Sequence, residues 1–164
     1  MRRILKRHEV AADQWRLFGE DASDADPIIV PLAELRKDTE AWLTRARKDR
    51  LGVRLAPAES PESLADVLPH LALIAIEFPN VGDGRGFSYG RLLRDRLGFK
   101  GELRAVGDGV KQDKIFLLAR VGFESFELPS GENATEALAA LKRYDVVYQP
   151  GAPVEGIRRQ RFFA

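Results

Sequence analysis

The sequence predicts an α/β fold in which successive strand–helix units build a mainly parallel sheet. Strand-like apolar runs alternate with helix-like amphipathic runs along most of the chain, and short glycine-containing connections join them. Apolar and polar side chains also alternate within the strand-like runs. This alternation predicts helices mostly on one face of the sheet, as in a partial TIM-barrel-like arrangement. The alternative is an open three-layer doubly wound sheet, whose two faces are both covered by helices.

The first part of the chain differs in character from the rest. Residues 1–30 carry scattered apolar side chains and a polar, turn-rich stretch, which predict an N-terminal extension or hairpin packed on the domain. Residues 31–150 are predicted to form the α/β domain, and residues 151–164 a basic and aromatic C-terminal tail. At 31–48 the apolar residues recur on one helical face, which predicts an amphipathic helix with Pro31 at its first position.

The repeating units follow from there. Strands are predicted at 52–56, 72–78, 102–106, 125–128 and 145–149. Helices are predicted between them at 61–68, 88–97, 112–121 and 132–144. One face of the sheet would be continuously apolar, whereas the other would carry Arg54, Glu77, Arg104, Ser125, Glu127 and Gln149. Such side chains are rarely fully buried without partners, so this face is either a solvated concavity, an ion-pair lattice or a surface covered by the N-terminal segment or a second subunit.

Composition limits the chemistry. The chain has no cysteine, which excludes disulfides, thiolate metal sites and a cysteine nucleophile in these 164 residues, and its two histidines offer little for a metal site. We therefore expect no metal. The net charge of +1 provides no overall field toward nucleic acid or an anionic membrane. Without a long apolar stretch or the apolar core of a signal peptide, a cytoplasmic location is expected, and a homo-oligomer stays open.

The loop after the second predicted strand is the first candidate site. In the stretch GDGRGFS the glycines free the backbone to present N–H groups toward an anion, and Ser88 is predicted as the N-cap of the following helix. Arg85 would hold the anion, while Asp83 would orient Arg85 or act as a base; alternatively, the two simply pair with each other. The predicted anion- or substrate-binding residues are Gly82, Gly84, Arg85, Gly86, Ser88 and Arg104.

A second loop follows the next strand, at 106–113, and would lie beside the first because the carboxyl ends of parallel strands share one edge. The residues that could do acid/base work there are Glu77, Asp83, Arg85 and Asp108, with Arg104 beside them. Two guanidinium groups beside carboxylates could act on an anionic ligand, or they could form a neutral ion-pair network. No catalytic assignment follows from the sequence.

The tail GIRRQRFFA interleaves basic and aromatic residues, placing Arg158, Arg159 and Arg161 next to Phe162 and Phe163. Such a segment can dock on an acidic partner, although arginines at a chain end are most often a solvated terminus.

Three of these segments carry a resemblance to a known family. The loop at 78–88, the stretch GELRAVGD at 101–108 and the stretch GFESFEL at 122–128 resemble the DUF934 family, small bacterial proteins described as an oxidoreductase involved in sulfite reduction. The resemblance covers roughly residues 28–149. It implies association with assimilatory sulfite reductase and its pathway in the bacterial cytoplasm.

The residues qualify that implication. An oxidoreductase needs an electron carrier, yet this sequence has no cysteine ligands and no dinucleotide-binding fingerprint, so we expect no cofactor. Two hypotheses remain. In the first, the chain is an accessory protein of sulfite reduction that acts with sulfite reductase. In the second, it is a small oxyanion-binding protein or enzyme that uses the GDGRGFS loop; whether it is an enzyme stays open.

Overall fold

A computed structural model describes residues 2–6, 9–45, 49–142, 146–147 and 158–159. The fold is α/β with a mainly parallel sheet of eight strands. The strands are β1 (Arg3–Lys6), β2 (Glu9–Ala12), β3 (Arg16–Leu17), β4 (Ile28–Pro31), β5 (Leu51–Leu55), β6 (Leu73–Glu77), β7 (Glu102–Val106) and β8 (Ser125–Glu127). The helices are α1 (Leu32–Lys37), α2 (Thr39–Arg45), α3 (Arg85–Arg91), α4 (Gln112–Arg120) and α5 (Ala134–Lys142).

The strands lie in the order β2-β1-β8-β7-β6-β5-β4-β3. From β3 to β8, each strand pairs in parallel with the next one in the sequence. This order has no point of reversal, which a doubly wound sheet requires. The N-terminal hairpin extends the sheet beyond β8, because β1 pairs antiparallel with both β8 and β2.

Four of the five predicted strands are confirmed as β5 to β8, and β7 has the predicted bounds. The fifth, predicted at 145–149, is wrong as a strand of this sheet. Its described part, Val146–Val147, pairs instead with Arg158–Arg159 in a separate two-stranded sheet. The physical reason is that β1 already occupies the free edge of β8.

Two helix predictions need correction. The helix predicted at 31–48 is split into α1 and α2, because Asp38 leaves the helical conformation (φ −153°, ψ 77°) and its side chain accepts the Ala41 N–H at 2.9 Å. Pro31 precedes α1 rather than forming its first residue. The helix predicted at 61–68 is wrong: this stretch forms two short 3₁₀ turns, Pro61–Leu64 and Leu68–His70. Pro69 lies in the second turn, and a proline disfavours the helical conformation of the residue before it, which disrupts the end of the predicted helix.

Helix α3 starts earlier than predicted, and Ser88 is therefore not an N-cap but an exposed residue inside the helix. The helix continues as a π-helical turn at Leu92–Arg96. Its glycines explain the early start. A Cβ atom at Gly86 would lie 2.3 Å from the Phe78 ring, and one at Gly90 would lie 2.6 Å from the Phe123 ring. Glycine at these two positions thus lets α3 pack directly against two core aromatic rings.

The main apolar core joins one face of the sheet to the helices. Val53, Ile74 and Phe126 point to this face and belong to the same buried cluster as Leu93, which follows α3, and Ile115 of α4. Burial of these branched and aromatic side chains stabilises the fold by about 1.5–3 kcal/mol each.

The other face of the sheet is covered by the N-terminal segment. Trp15 and Leu17 pack on a second cluster that contains Leu73 and Val106. A Cβ atom at Gly52 would lie 3.1 Å from the Trp15 ring, so glycine leaves room for the segment to pack closely on this strand. The predicted polar residues Arg104 and Ser125 lie on this face and are buried beneath the same segment.

Candidate functional site

The loops that follow β6 and β7 lie side by side at the carboxyl edge of the sheet, as predicted. The Phe78 N–H donates to the Val106 carbonyl at 2.8 Å, and the Gly109 N–H donates to the Phe78 carbonyl at 2.8 Å. Gly107 has a positive φ of 101°, and a Cβ atom there would lie 2.6 Å from the Phe78 carbonyl oxygen. At Gly109 a Cβ atom would lie 2.4 Å from the Asn80 carbonyl oxygen. These two glycines are therefore required by the close packing of the two loops.

Gly82 and Gly84 have no such requirement. Neither has a positive φ, and a Cβ atom at Gly84 would have no heavy atom within 4 Å. At Gly82 the nearest atom would be the side-chain oxygen of Asn80, at an ordinary 3.4 Å. Gly84 precedes the first residue of α3, where glycine is favoured over alanine but not required. Both residues are exposed, so packing within the chain does not explain their small size.

Val81, between Asn80 and Gly82, is one of three large apolar side chains that are exposed among the described residues, with 48% of its surface accessible. The Lys114 ammonium group of α4 donates to the Val81 carbonyl oxygen. This bond fastens the loop to the helix while the Val81 side chain stays in solvent. Val81 is not among the predicted site residues, because a single apolar side chain on a protein surface is common and indicates no function by itself.

Asp83 and Arg85 pair with each other. The Arg85 side chain donates to both carboxylate oxygens, with Nη2 at 2.7 Å and Nε at 3.1 Å, and the Arg85 backbone N–H donates to the same carboxylate at 3.1 Å. The side-chain hydrogen bonds from Arg85, followed by its backbone N–H, lower the pKa of Asp83 below its ordinary value of 3.8. A carboxylate with a lowered pKa is a weak proton acceptor near neutral pH, so the geometry does not favour Asp83 as a general base.

The backbone donors of this loop are also largely occupied. The Gly82 N–H donates to the Asn80 side chain at 2.9 Å, and the Arg85 N–H donates to Asp83. Gly86 is buried against Phe78. Of the groups predicted to bind an anion here, the Ser88 side chain and the Gly84 backbone N–H belong to exposed residues and have no hydrogen bond among the described residues.

Arg104 lies elsewhere, in a buried polar cluster on the face covered by the N-terminal segment. Its Nη1 donates to both carboxylate oxygens of Asp13 at 3.0 and 2.9 Å, and its Nη2 donates to Glu102 at 3.0 Å. Ser125 donates to the same Glu102 carboxylate at 2.6 Å, and Lys6 pairs with it from β1. Fully buried and fully paired, Arg104 does not reach a ligand in solvent.

The remaining candidate residues, Glu77 and Asp108, lie apart from both the Asp83–Arg85 pair and the Arg104 cluster. Glu77 pairs with Arg54 of the neighbouring strand at 3.1 Å. Asp108 is exposed and makes no ion pair or hydrogen bond with the described residues. The structure thus brings Asp83 and Arg85 together but places Glu77, Arg104 and Asp108 at three other positions. Most of the predicted constellation is distributed over separate ion pairs.

Asp13 is the residue that sequence reasoning overlooked in this network. It lies 91 residues from Arg104 in the chain, and no local motif indicates that pairing. The basic and aromatic tail, apart from the backbone of Arg158–Arg159, lies outside the described residues. Among those residues, no helix is both long and apolar enough to cross a membrane, and no three metal-ligating side chains come together.

Comparison with known proteins gives a family. Residues 52–155 match the family model described as "Bacterial protein of unknown function (DUF934)". A search of curated proteins found no match. The match includes the loops after β6, β7 and β8, and it excludes the N-terminal hairpin.

Proposed function

Since the chain belongs to the DUF934 family, we propose that it is an accessory protein of assimilatory sulfite reduction in the bacterial cytoplasm, which binds sulfite reductase through residues 79–85. We call these residues the docking loop. The observation that carries the proposal is the pair of exposed glycines, Gly82 and Gly84, whose small size nothing inside the chain requires. Glycine permits another backbone to approach closely, and a partner surface would use that space.

Contacts within the chain fix the position of the docking loop. The hydrogen bonds at Phe78 and the close approach of Gly109 to Asn80 fix its base, and Lys114 holds its tip. A loop that is already ordered loses little conformational entropy when it binds. Val81 adds an exposed apolar side chain at its tip, and removing this side chain from water in an interface would be favourable.

The lack of cysteine supports an accessory role over independent electron transfer. With no cysteine in its sequence, the chain cannot supply thiolate ligands for an iron–sulfur cluster of its own. The association with sulfite reduction comes from the family resemblance, and the reductase is then the component that would carry the electrons.

The oxyanion alternative has less support from the geometry. An anion at the loop would have to displace Asp83 from Arg85, and would find the Gly82 and Arg85 N–H groups already bonded to side chains. Loss of a bidentate carboxylate partner offsets much of what an anion could gain there.

The finer architecture is part of the same proposal. We propose that the sheet is a partial barrel with helices mostly on one face. The strand order without a reversal and the shared cluster of strand and helix residues support this arrangement over the doubly wound alternative. The docking loop then lies at the edge where barrels of this kind place their functional loops.

The test is affinity purification of the tagged chain from cells grown on sulfate. The wild type should bring down sulfite reductase, whereas Val81→Asp should bring down much less, because a charge at the loop tip would be desolvated in the interface. Ala33→Asp, at an exposed position of α1, is the matched control and should behave as wild type. If the wild type brings down no reductase and deletion of the gene leaves sulfite reduction normal, the proposal is wrong.

A further inference from the structure

Strand β2 forms one edge of the eight-stranded sheet, where it pairs with β1 alone. The Asp13 N–H donates to the Arg2 carbonyl at 2.9 Å, and hydrogen-bonded residue pairs alternate with non-bonded pairs along two antiparallel strands. In the observed register, the N–H and carbonyl groups of Val10 and Ala12 therefore point away from β1. None of these groups has a hydrogen bond among the described residues. The edge of β2 thus carries free donors and acceptors.

The opposite edge of the sheet, at β3, is closed by the chain itself. The Leu17 N–H donates to the Glu20 carboxylate at 2.8 Å, and the Leu17 carbonyl accepts the Glu20 N–H at 3.0 Å. Within the described part of the chain no such turn caps β2, and its sequence EVAA has neither the proline nor the lysine that commonly protect edge strands. Ala12 is exposed, and Val10 is half-buried. The edge of β2 is therefore open to a further strand.

A second copy of the same strand fits this edge in the antiparallel direction. With a two-fold axis at Ala11, Val10 of each copy lies opposite Ala12 of the other. Each of these two residue pairs exchanges two backbone hydrogen bonds, which uses all the free groups of Val10 and Ala12 on both edges. The two Ala11 residues form the close pair between them, where the Cα atoms approach to about 4.5 Å and a small side chain fits. The edge is complementary to itself in hydrogen bonding and in side-chain size.

The charges near this edge are compatible with the pairing. In the same register, Glu9 of one copy lies opposite Asp13 of the other. Asp13 already pairs with Arg104 at 2.9 Å and with Arg2 at 3.3 Å, so its negative charge is balanced within its own chain. Because the same strand serves both partners about a two-fold axis, the assembly closes as a dimer.

We propose that two copies of this chain form a dimer by antiparallel pairing of their β2 edges, which joins the two sheets into one. This surface is distinct from the docking loop, which follows β6, and β2 lies outside the residues matched by the family. The dimer therefore does not depend on the proposed binding of sulfite reductase.

The test combines analytical ultracentrifugation of the full chain with amide hydrogen exchange. The wild type should change from monomer to dimer as its concentration rises, and exchange at Val10 and Ala12 should slow over the same range. Ala12→Pro removes one outward N–H from each edge but no hydrogen bond to β1, so it should raise the dissociation constant of the dimer at least about tenfold. Ala12→Ser keeps the N–H and is the matched control.

A dimer that is weakened in Ala12→Pro and retained in Ala12→Ser supports the inference. It is overturned by a wild type that stays monomeric up to its solubility limit, by a dimer whose affinity is unchanged in Ala12→Pro, or by exchange at Val10 and Ala12 that is independent of concentration. Urea unfolding checks that Ala12→Pro keeps the fold. If it does not, Val10→Pro removes the other outward N–H, and the exchange of the wild type remains decisive.

Discussion

Asp13 and Arg104 form a buried ion pair that fastens the N-terminal segment across the sheet. The two side chains are each 1% exposed, and their charged atoms approach to 2.9 Å. Glu102 supplies the second carboxylate at 3.0 Å. Because Arg104 lies on β7 and Asp13 just beyond β2, the pair joins parts of the chain that are distant in sequence. The polar face of the sheet, for which a solvated concavity was one of the predicted alternatives, is therefore buried at this ion pair.

Removing the Asp13 carboxylate should therefore destabilise the folded state. We expect Asp13→Ala to lower the free energy of unfolding by about 3 kcal/mol, since one partner of a buried pair is lost and Arg104 stays buried. Asp66→Ala removes the exposed pair with Arg36 and should cost less than about 1 kcal/mol. Urea unfolding measures both. Equal losses in the two variants would show that the Asp13–Arg104 pair does not hold the segment.

Glu102 should make stability depend on acid pH. Burial by itself raises the pKa of Glu102, but the charge of Arg104 and the hydrogen bonds from Lys6 and Ser125 outweigh it, so the pKa lies below its ordinary value of 4.5. With a lowered folded-state pKa, the unfolded chain binds more protons. The contribution of Glu102 is thus complete above about pH 4.5 and is lost as the pH falls through the folded-state pKa.

Glu102→Gln removes this titration. Between pH 5 and acid unfolding, the stability of Glu102→Gln should change less steeply with pH than that of the wild type, as measured by urea unfolding at a series of pH values. Glu40→Gln, an exposed control on α2, should keep the wild-type slope. An unchanged slope in Glu102→Gln would contradict the assigned pKa direction.

The glycines near the docking loop should differ sharply in their tolerance of a side chain. Gly86→Ala places Cβ 2.3 Å from the Phe78 ring and should cost about 1–3 kcal/mol through overpacking. Gly84→Ala meets no atom and should cost only about 0.5 kcal/mol, because it loses just the preference for glycine over alanine before the first residue of α3. Thermal and urea unfolding compare the two. If Gly84→Ala costs as much as Gly86→Ala, the docking loop has a packing role that the geometry does not indicate.

Arg94 should be needed as arginine rather than as a cation. Its guanidinium group donates to the Phe99 and Gly101 carbonyls at 2.8 Å each, to the Gly122 carbonyl at 3.0 Å and to Glu124 at 2.8 Å. Lysine cannot span these acceptors, so Arg94→Lys should lose about 1–3 kcal/mol and speed amide exchange at 98–101 and 122–124. Arg91→Lys, in an exposed pair with Asp95, should change neither. Unaltered exchange in Arg94→Lys would contradict this role.

The sequence predicts best those strands and helices whose conformation follows from their own residues. The alternation in ELRAV predicts β7 at its observed bounds, and the run before Phe78 predicts β6. The start of α3 was wrong because Ser88 is a good cap by local rules, whereas the packing of Gly86 on Phe78 starts the helix earlier. Tertiary contact outweighed local preference there.

The candidate site was less predictable for the same reason. The pairing of Asp83 with Arg85 is local, and it was one of the two alternatives that the sequence left open. The burial of Arg104 depends on Asp13, which reaches it only because the N-terminal hairpin joins the sheet beside β8. No motif or residue spacing in a single sequence indicates that Asp13 contacts Arg104.

We propose that the docking loop binds sulfite reductase, and the affinity of the purified proteins tests this proposal most directly. The wild type and Ala33→Leu should bind the reductase with the same dissociation constant. Gly84→Leu, whose Cβ atom would meet no heavy atom of the chain within 4 Å, should bind at least about tenfold more weakly, the equivalent of about 1.4 kcal/mol. Equal affinity of Gly84→Leu and the wild type, or no binding by the wild type, would contradict the claim.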